Sequence, residues 1–172
     1  MVTRHAGEAL DWVTLIYRVP REPSSPRIAI WRKLRALGVV QLGDGAVALP
    51  EDARTREHLE WVADQVVEAG GTALLLRAQT LARRDERALA RAMSTARAEE
   101  YRDLTDRAAQ VVQGGPTAAE VTRALKRLRS DLRAIQKRDY FPPAERDDAI
   151  AAIHRLAESG AAEPASTSGD RS

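Results

Sequence analysis

Gly43-Asp44-Gly45-Ala46-Val47-Ala48 fits the pattern G-x-G-x-x-G/A, in which amides at the start of a helix hold a pyrophosphate. That chemistry requires a helix to open directly from the loop. Pro50 would fall inside such a helix, where it costs about 3 kcal/mol. A Walker loop fails too, because Ala46-Val47 stands where Lys-Ser/Thr is needed. Asp44-Gly45 between the apolar runs "VVQL" and "AVALP" specifies a hairpin turn instead, with positive φ at Gly45.

The remaining reactive side chains are scattered. His5, His58 and His154 lie far apart, none with a second histidine at ligand spacing. His58 sits among Glu57, Glu60 and Asp64 and is expected on a solvated face. The absence of cysteine removes thiolate nucleophiles, thiolate metal sites and disulfides together. The sequence offers no Ser-His-Asp arrangement and no isolated carboxylate pair. The expectation is a non-enzyme with no catalytic residue, no metal site and no cofactor.

Positive charge is the conspicuous chemistry. "RALKRLRSDLRAIQKR" sets Arg123, Lys126, Arg127, Arg129, Arg133, Lys137 and Arg138 against one acid, Asp131. A smaller cluster, Arg27, Arg32, Lys33 and Arg35, flanks Trp31. Either set could track phosphates, or be a solvated face paired with acids of a neighbouring helix. Of the 27 basic residues 24 are Arg, whose planar fork suits oxyanions, although a GC-rich coding sequence would also favour Arg. Trp31 is expected in the core rather than stacked on a base.

These residues must be held by elements that the pattern outlines. "WVTLIYRV" (12–19) is an apolar run of strand length, closed by Pro20. Ser25-Pro26 reads as a helix cap and first turn; Ile28, Trp31, Leu34 and Leu37 follow at helical spacing, and Gly38 supplies the left-handed stop. After the hairpin, Leu59, Val62, Val66 and Ala69 mark a second helix ending at Gly70, and residues 72–81 form a fourth strand. Strand, helix, strand, strand, helix, strand predicts an α+β, ferredoxin-like βαββαβ antiparallel sheet, its first and third strands central and its helices on one face.

Beyond Leu81 the pattern is helical. Leu89, Met93, Leu104, Ala108 and Val111 keep the period of one long helix or two, interrupted at Gly114-Gly115-Pro116. Thr117 and Glu120 form a capping box before a stripe of Val121, Leu125, Leu128, Leu132 and Ile135. "RDYFPP" then places Tyr140, Phe141 and Pro142 at a turn, where Phe141 is expected to plug the helical hairpin against the sheet. A last helix turns Ile150, Ile153 and Leu156 inward. The expected organisation is a leader over 1–11, a ferredoxin-like domain over 12–81, a helical extension packed on it over 82–159 and a disordered tail over 160–172. At 172 residues, with 30% charged and 4% aromatic side chains, the core must be aliphatic. No run approaches the ~18 apolar residues of a membrane span, and no apolar signal core opens the chain; a cytoplasmic protein without membrane contact is expected.

"WVTLIYRVPREPSSPRIAIWRKLRALGVVQLGDGAVALP" and "LKRLRSDLRAIQKRDYFPPAERDDA" resemble the amino-terminal domain of the ChrB chromate-resistance regulators. The likeness covers about nine-tenths of the chain, all but the tail. It implies a transcriptional regulator that binds DNA and releases it when chromate is present. Family members usually continue into a second domain of similar size; a chain without it would keep DNA or partner binding and lack the chromate response. A weaker likeness runs to the middle domain of PaaX-type repressors and to the CRISPR adaptation ferredoxin-fold nucleases. In the nuclease-type pattern an Asp at the end of the first strand holds a metal; here "LIYRVP" puts Arg18 there.

The expected partners are DNA, a second copy of the chain and, as an effector, an oxyanion such as chromate. The rival reading is a ferredoxin-like interaction or dimerisation module that binds no nucleic acid.

Overall fold

The chain runs through β1 (Trp12–Arg18), α1 (Ser24–Leu37), β2 (Val40–Gly43), β3 (Ala46–Pro50), α2 (Ala53–Glu68) and β4 (Thr72–Ala78). Three helices follow, α3 (Arg83–Gln113), α4 (Ala118–Gln136) and α5 (Glu145–Ala161). This computed structural model describes residues 9–161. The described residues form two compact units, one up to Met93 and one from Ser94, which part inside α3. His5 and the residues of the expected tail after Ala161 lie outside the described residues.

In the first unit the sheet order is β2-β3-β1-β4, with every neighbouring pair antiparallel. The arrangement is ferredoxin-like, with the first and third strands, β1 and β3, in the middle as expected. Cross-strand partners share a face: Val13 opposes Leu49, and Leu15 opposes Val47 and Leu75. This face meets the helices, since Arg77, opposite Val13, joins Glu51 in an ion pair that also takes Arg56 of α2. Val13, Leu15, Val47 and Leu49 are buried with Ile30 and Leu34 of α1 and Leu59, Val62 and Val66 of α2. On the other face Trp12, Thr14 and Ala48 are buried, but Ile16 and its partner Leu74 stay exposed, with Leu76 beside them.

The Gly43–Ala46 turn is a hairpin. Gly45 has φ 71°, and its carbonyl accepts the Tyr17 N–H at 2.7 Å. A Cβ at Gly45 would stand 2.4 Å from the Tyr17 carbonyl oxygen, so close backbone approach and positive φ both require glycine. Strand β3 leaves the turn where a nucleotide loop would open a helix.

α1 departs from expectation at its start and in its phase. Pro23 is its N-cap and Ser24 its first residue, so Ser25-Pro26 lies inside the first turn. Ile30 and Leu34 point inward, while Ile28 and Trp31 are 44% and 50% exposed; Trp31 is not a core residue. Gly38, at φ 74°, ends the helix as expected. α2 begins with a capping box, in which the Thr55 N–H donates to Asp52 and the Asp52 N–H to the Thr55 hydroxyl. That hydroxyl donates at 2.7 Å to the Pro50 carbonyl, which tethers the helix to the end of β3.

In the second unit, Tyr101, Leu104 and Ala108 of α3 meet Val121, Ala124, Leu128 and Ile135 of α4 and Ala149, Ala152, Ile153 and Leu156 of α5. Leu125 and Leu132 pack at the edge of this cluster. α3 is one continuous helix, and α4 opens with the expected Thr117–Glu120 capping box. Tyr140 and Phe141 are half-buried in the connection to α5, outside the buried cluster. Pro142 is exposed in the same connection. Gly160, expected at the start of a disordered tail, is the second-last residue of α5; a Cβ there would lie 2.6 Å from Val121 Cγ1.

Candidate nucleic-acid interface

α4 buries a stripe at Val121, Ala124, Leu128 and Ile135, which leaves the opposite side to its charges. Arg123, Lys126, Arg127, Arg129, Arg133 and Lys137 are all exposed. Arg123, Lys126, Arg133 and Lys137 fall on one row, 3, 7 and 4 residues apart, and the row runs about 21 Å along the helix at 1.5 Å per residue. Among the described residues none of the six closes an ion pair. Arg123 acts at longer range: after the Thr117 amide and hydroxyl, it helps to hold the Glu120 carboxyl below its usual range. Pairing with a neighbouring helix therefore does not account for this face.

Arg138 stands apart from the other candidates. Its guanidinium takes both oxygens of Glu100, at 2.9 and 2.6 Å, and its side chain is only 22% exposed. Arg97 donates to the same carboxylate at 2.7 Å, and Tyr101 OH donates to Asp139 at 2.8 Å. Arg107 likewise joins Asp131 of α4 at 2.7 Å and Asp103 of α3 at 3.2 Å. Asp131, the acid within the basic run, is thus turned toward α3 and does not neutralise the six outer cations. Arg138 is a fastener of the helical unit, not a free cation.

The α1 cluster divides in a similar way. Arg27, Arg32 and Arg35 are exposed. The Arg35 guanidinium lies 4.9 Å from the centre of the exposed Trp31 ring, within cation–π range. Lys33 is turned inward along α2: its ammonium donates to Gln65 and sits 4.3 Å from the centre of the Trp61 ring. Trp61, 57% exposed, is an aromatic that helix periodicity alone left unassigned.

Asp44 and Gly45 occupy the hairpin turn, away from any helix start. His58 is half-buried with Nδ1 enclosed and without a hydrogen-bond partner, not on a fully solvated face. Among the described residues no group of three His, Asp or Glu is placed to hold a metal ion. No helix there is long and apolar enough to cross a membrane. The sequence signal missed Arg97 and Tyr101, whose burial comes from α3 meeting α4 and α5, and Arg21, which lies between β1 and α1 and belongs to no motif.

The family model described as Protein ChrB, N-terminal, matches residues 27–114. Protein ChrB of Cupriavidus metallidurans (strain ATCC 43123 / DSM 2839 / NBRC 102507 / CH34) is 31% identical over 143 residues, covering 76% of this chain and 40% of that relative. The chain thus spans about two fifths of the length of the curated relative it matches. No solved structure gives a significant match. The family match takes in Arg27 to Arg35 and stops at Gly114, short of α4. Because it covers just over half of the 172 residues, the chain belongs to the ChrB amino-terminal family.

Proposed function

We propose that this chain is a non-enzymatic, cytoplasmic transcriptional regulator that binds DNA in the control of chromate resistance. The observation that carries the reading is the outer face of α4, whose six exposed cations close no ion pair among the described residues. A helix that packs an apolar stripe inward needs few charges for solubility, and mixed signs serve that purpose at lower self-repulsion. A same-sign row matches the regular charge of a nucleic-acid backbone. Membership in the ChrB family supplies the biological context. Such contacts position the protein without reading bases, so operator choice rests on other residues or on DNA shape. Exposed Trp31 beside Arg35 offers a flat apolar face next to a charge, suited to a sugar or base edge.

The test is fluorescence anisotropy with a labelled duplex from the region upstream of the protein's own gene. Replacing Lys126, Arg133 and Lys137 with Gln is expected to weaken binding about a hundredfold near physiological salt, at roughly 1 kcal/mol per phosphate contact. Unchanged affinity would overturn the reading.

One observation favours a second reading, an interaction module. Ile16, Leu74 and Leu76 form an exposed apolar strip on the sheet, Ile16 and Leu74 directly opposite in register. Its proposed occupant is a second copy of the chain, because a ferredoxin-like sheet presents the same strip to its twin about a two-fold axis. Light scattering on wild type and Leu74→Glu reads this directly: a dimer that dissociates in the variant supports the strip, and a monomer in both refutes it.

A further inference from the structure

At the end of the sheet where β1 leaves and β4 enters, a groove of about 510 Å³ is lined by Arg18, Val19, Pro20, Arg21, Arg27, Gly70, Gly71 and Thr72. Three arginines line it, and no carboxylate does. Glu22, next to Arg21 in the chain, is not among the lining residues. Among the described residues the three guanidiniums make no ion pair and no hydrogen bond. A groove in the helical unit differs in kind: its lining sets Arg107 and Arg138 among Glu99, Glu100, Asp103 and Asp131, and both arginines are paired.

The backbone fixes this concentration of charge. Arg18 and Thr72 are cross-strand partners, which places their side chains on one face. Gly71 lets the end of α2 press onto β1, since a Cβ there would lie 2.3 Å from the Arg18 carbonyl and 2.9 Å from Val66. Gly70 turns the chain at φ 78° and, like Gly71, puts no side chain into the groove. The two glycines thus contribute backbone alone to the lining, next to Thr72. Holding three like charges around one concavity costs self-repulsion that an anion would relieve.

We infer that this groove is a binding site for a tetrahedral oxyanion, in particular a phosphoryl group. Arg18, Arg21 and Arg27 would hold it by charge-assisted hydrogen bonds, and the fork of arginine suits two oxygens at once. Its volume lies within the usual range of ligand pockets, about 300–1,000 Å³, so a phosphate ester with its sugar would enter. The ligand has two sources with one chemistry, a backbone phosphate of nucleic acid or a free inorganic dianion. The inference stands apart from the α4 reading, since none of its residues lies on that helix.

The experiment uses the full chain and the variant R18Q/R21Q/R27Q, with R27Q alone as a milder control. Inorganic sulfate is titrated calorimetrically, and duplex DNA is titrated by anisotropy over a salt series. If the site takes a free dianion, sulfate binds the wild type and weakens about tenfold or more in the triple variant. If it takes a backbone phosphate, sulfate heat is absent, and the triple variant lowers the DNA salt slope by about 2–3 while K126Q/R133Q/K137Q lowers it independently. The triple variant is expected to keep the wild-type circular dichroism melt, because its side chains are exposed and make no bonds; R27Q carries the test if it does not. No sulfate binding together with an unchanged DNA slope in the variants would overturn the site, whatever α4 does.

Discussion

The Arg138 guanidinium grips the Glu100 carboxylate at two points, Nη1–Oε1 at 2.9 Å and Nη2–Oε2 at 2.6 Å, and so ties the end of α4 to α3. The same carboxylate receives Arg97, whose side chain is 9% exposed and whose Nε has no partner. Burial pushes the Arg97 guanidinium below its ordinary pKa, and Glu100 opposes that shift. One carboxylate therefore serves two cations, one of them nearly sealed from water.

Glu100→Gln should be among the most damaging polar substitutions in the helical unit. It keeps the shape but takes from enclosed Arg97 its hydrogen-bonded counter-charge and leaves only the more distant Asp139, at a cost of about 2–4 kcal/mol. Urea unfolding should show a lower midpoint with an unchanged slope. An exposed control, Glu99→Gln, should stay within about 0.5 kcal/mol of wild type.

Tyr101 makes the same unit sensitive to alkali. Burial, then its hydrogen bond to Asp139, raises its phenol well above the ordinary 10.0. The folded chain thus keeps the Tyr101 proton after the unfolded chain has lost it. Stability from this group is complete below pH 10 and declines as pH rises beyond it. Tyr101→Phe should flatten the alkaline decline in a series of melts above pH 10, and an identical decline in both proteins would contradict the assignment.

Two glycines are held by packing rather than by freedom at a turn alone. Gly45→Ala places a Cβ against the Tyr17 carbonyl at positive φ and should cost about 2 kcal/mol in the sheet unit. Gly160→Val drives into Val121 between α4 and α5 and should cost about 1–3 kcal/mol. Thermal melts of the two variants read these losses, and wild-type melting of Gly160→Val would show that α5 ends earlier.

Much of the sheet unit was legible because strong local signals agreed. Asp44-Gly45, Gly38, Gly70 and the stripe of Leu59, Val62 and Val66 each specify one backbone outcome, and the structure adopts all of them. α1 was misread for a geometric reason. Ile28, Trp31, Leu34 and Leu37 recur every three residues, and at 3.6 residues per turn such a series drifts through roughly 180° and cannot form one face. Leu34 belongs to both phases, and packing against α2 selects the one with Ile30. In the helical unit the stripe of α4 was readable, but the partner of each charge was not. Whether Arg138 faces water or Glu100 depends on how α3 lies beside α4, and side-chain spacing along one helix carries no such information. For the same reason Arg18 and Arg21, in a strand end and a loop, came together with Arg27 only once Gly71 brought α2 against β1.

Phosphate contact along the outer face of α4 is measured most directly by the slope of log Kobs against log salt for duplex DNA. Each phosphate contact contributes about −0.9 to the slope, so K126Q/R133Q/K137Q should make it shallower by about 2.7 than wild type. A flat wild-type slope, or the same slope in both proteins, would contradict the claim that these cations are phosphate contacts.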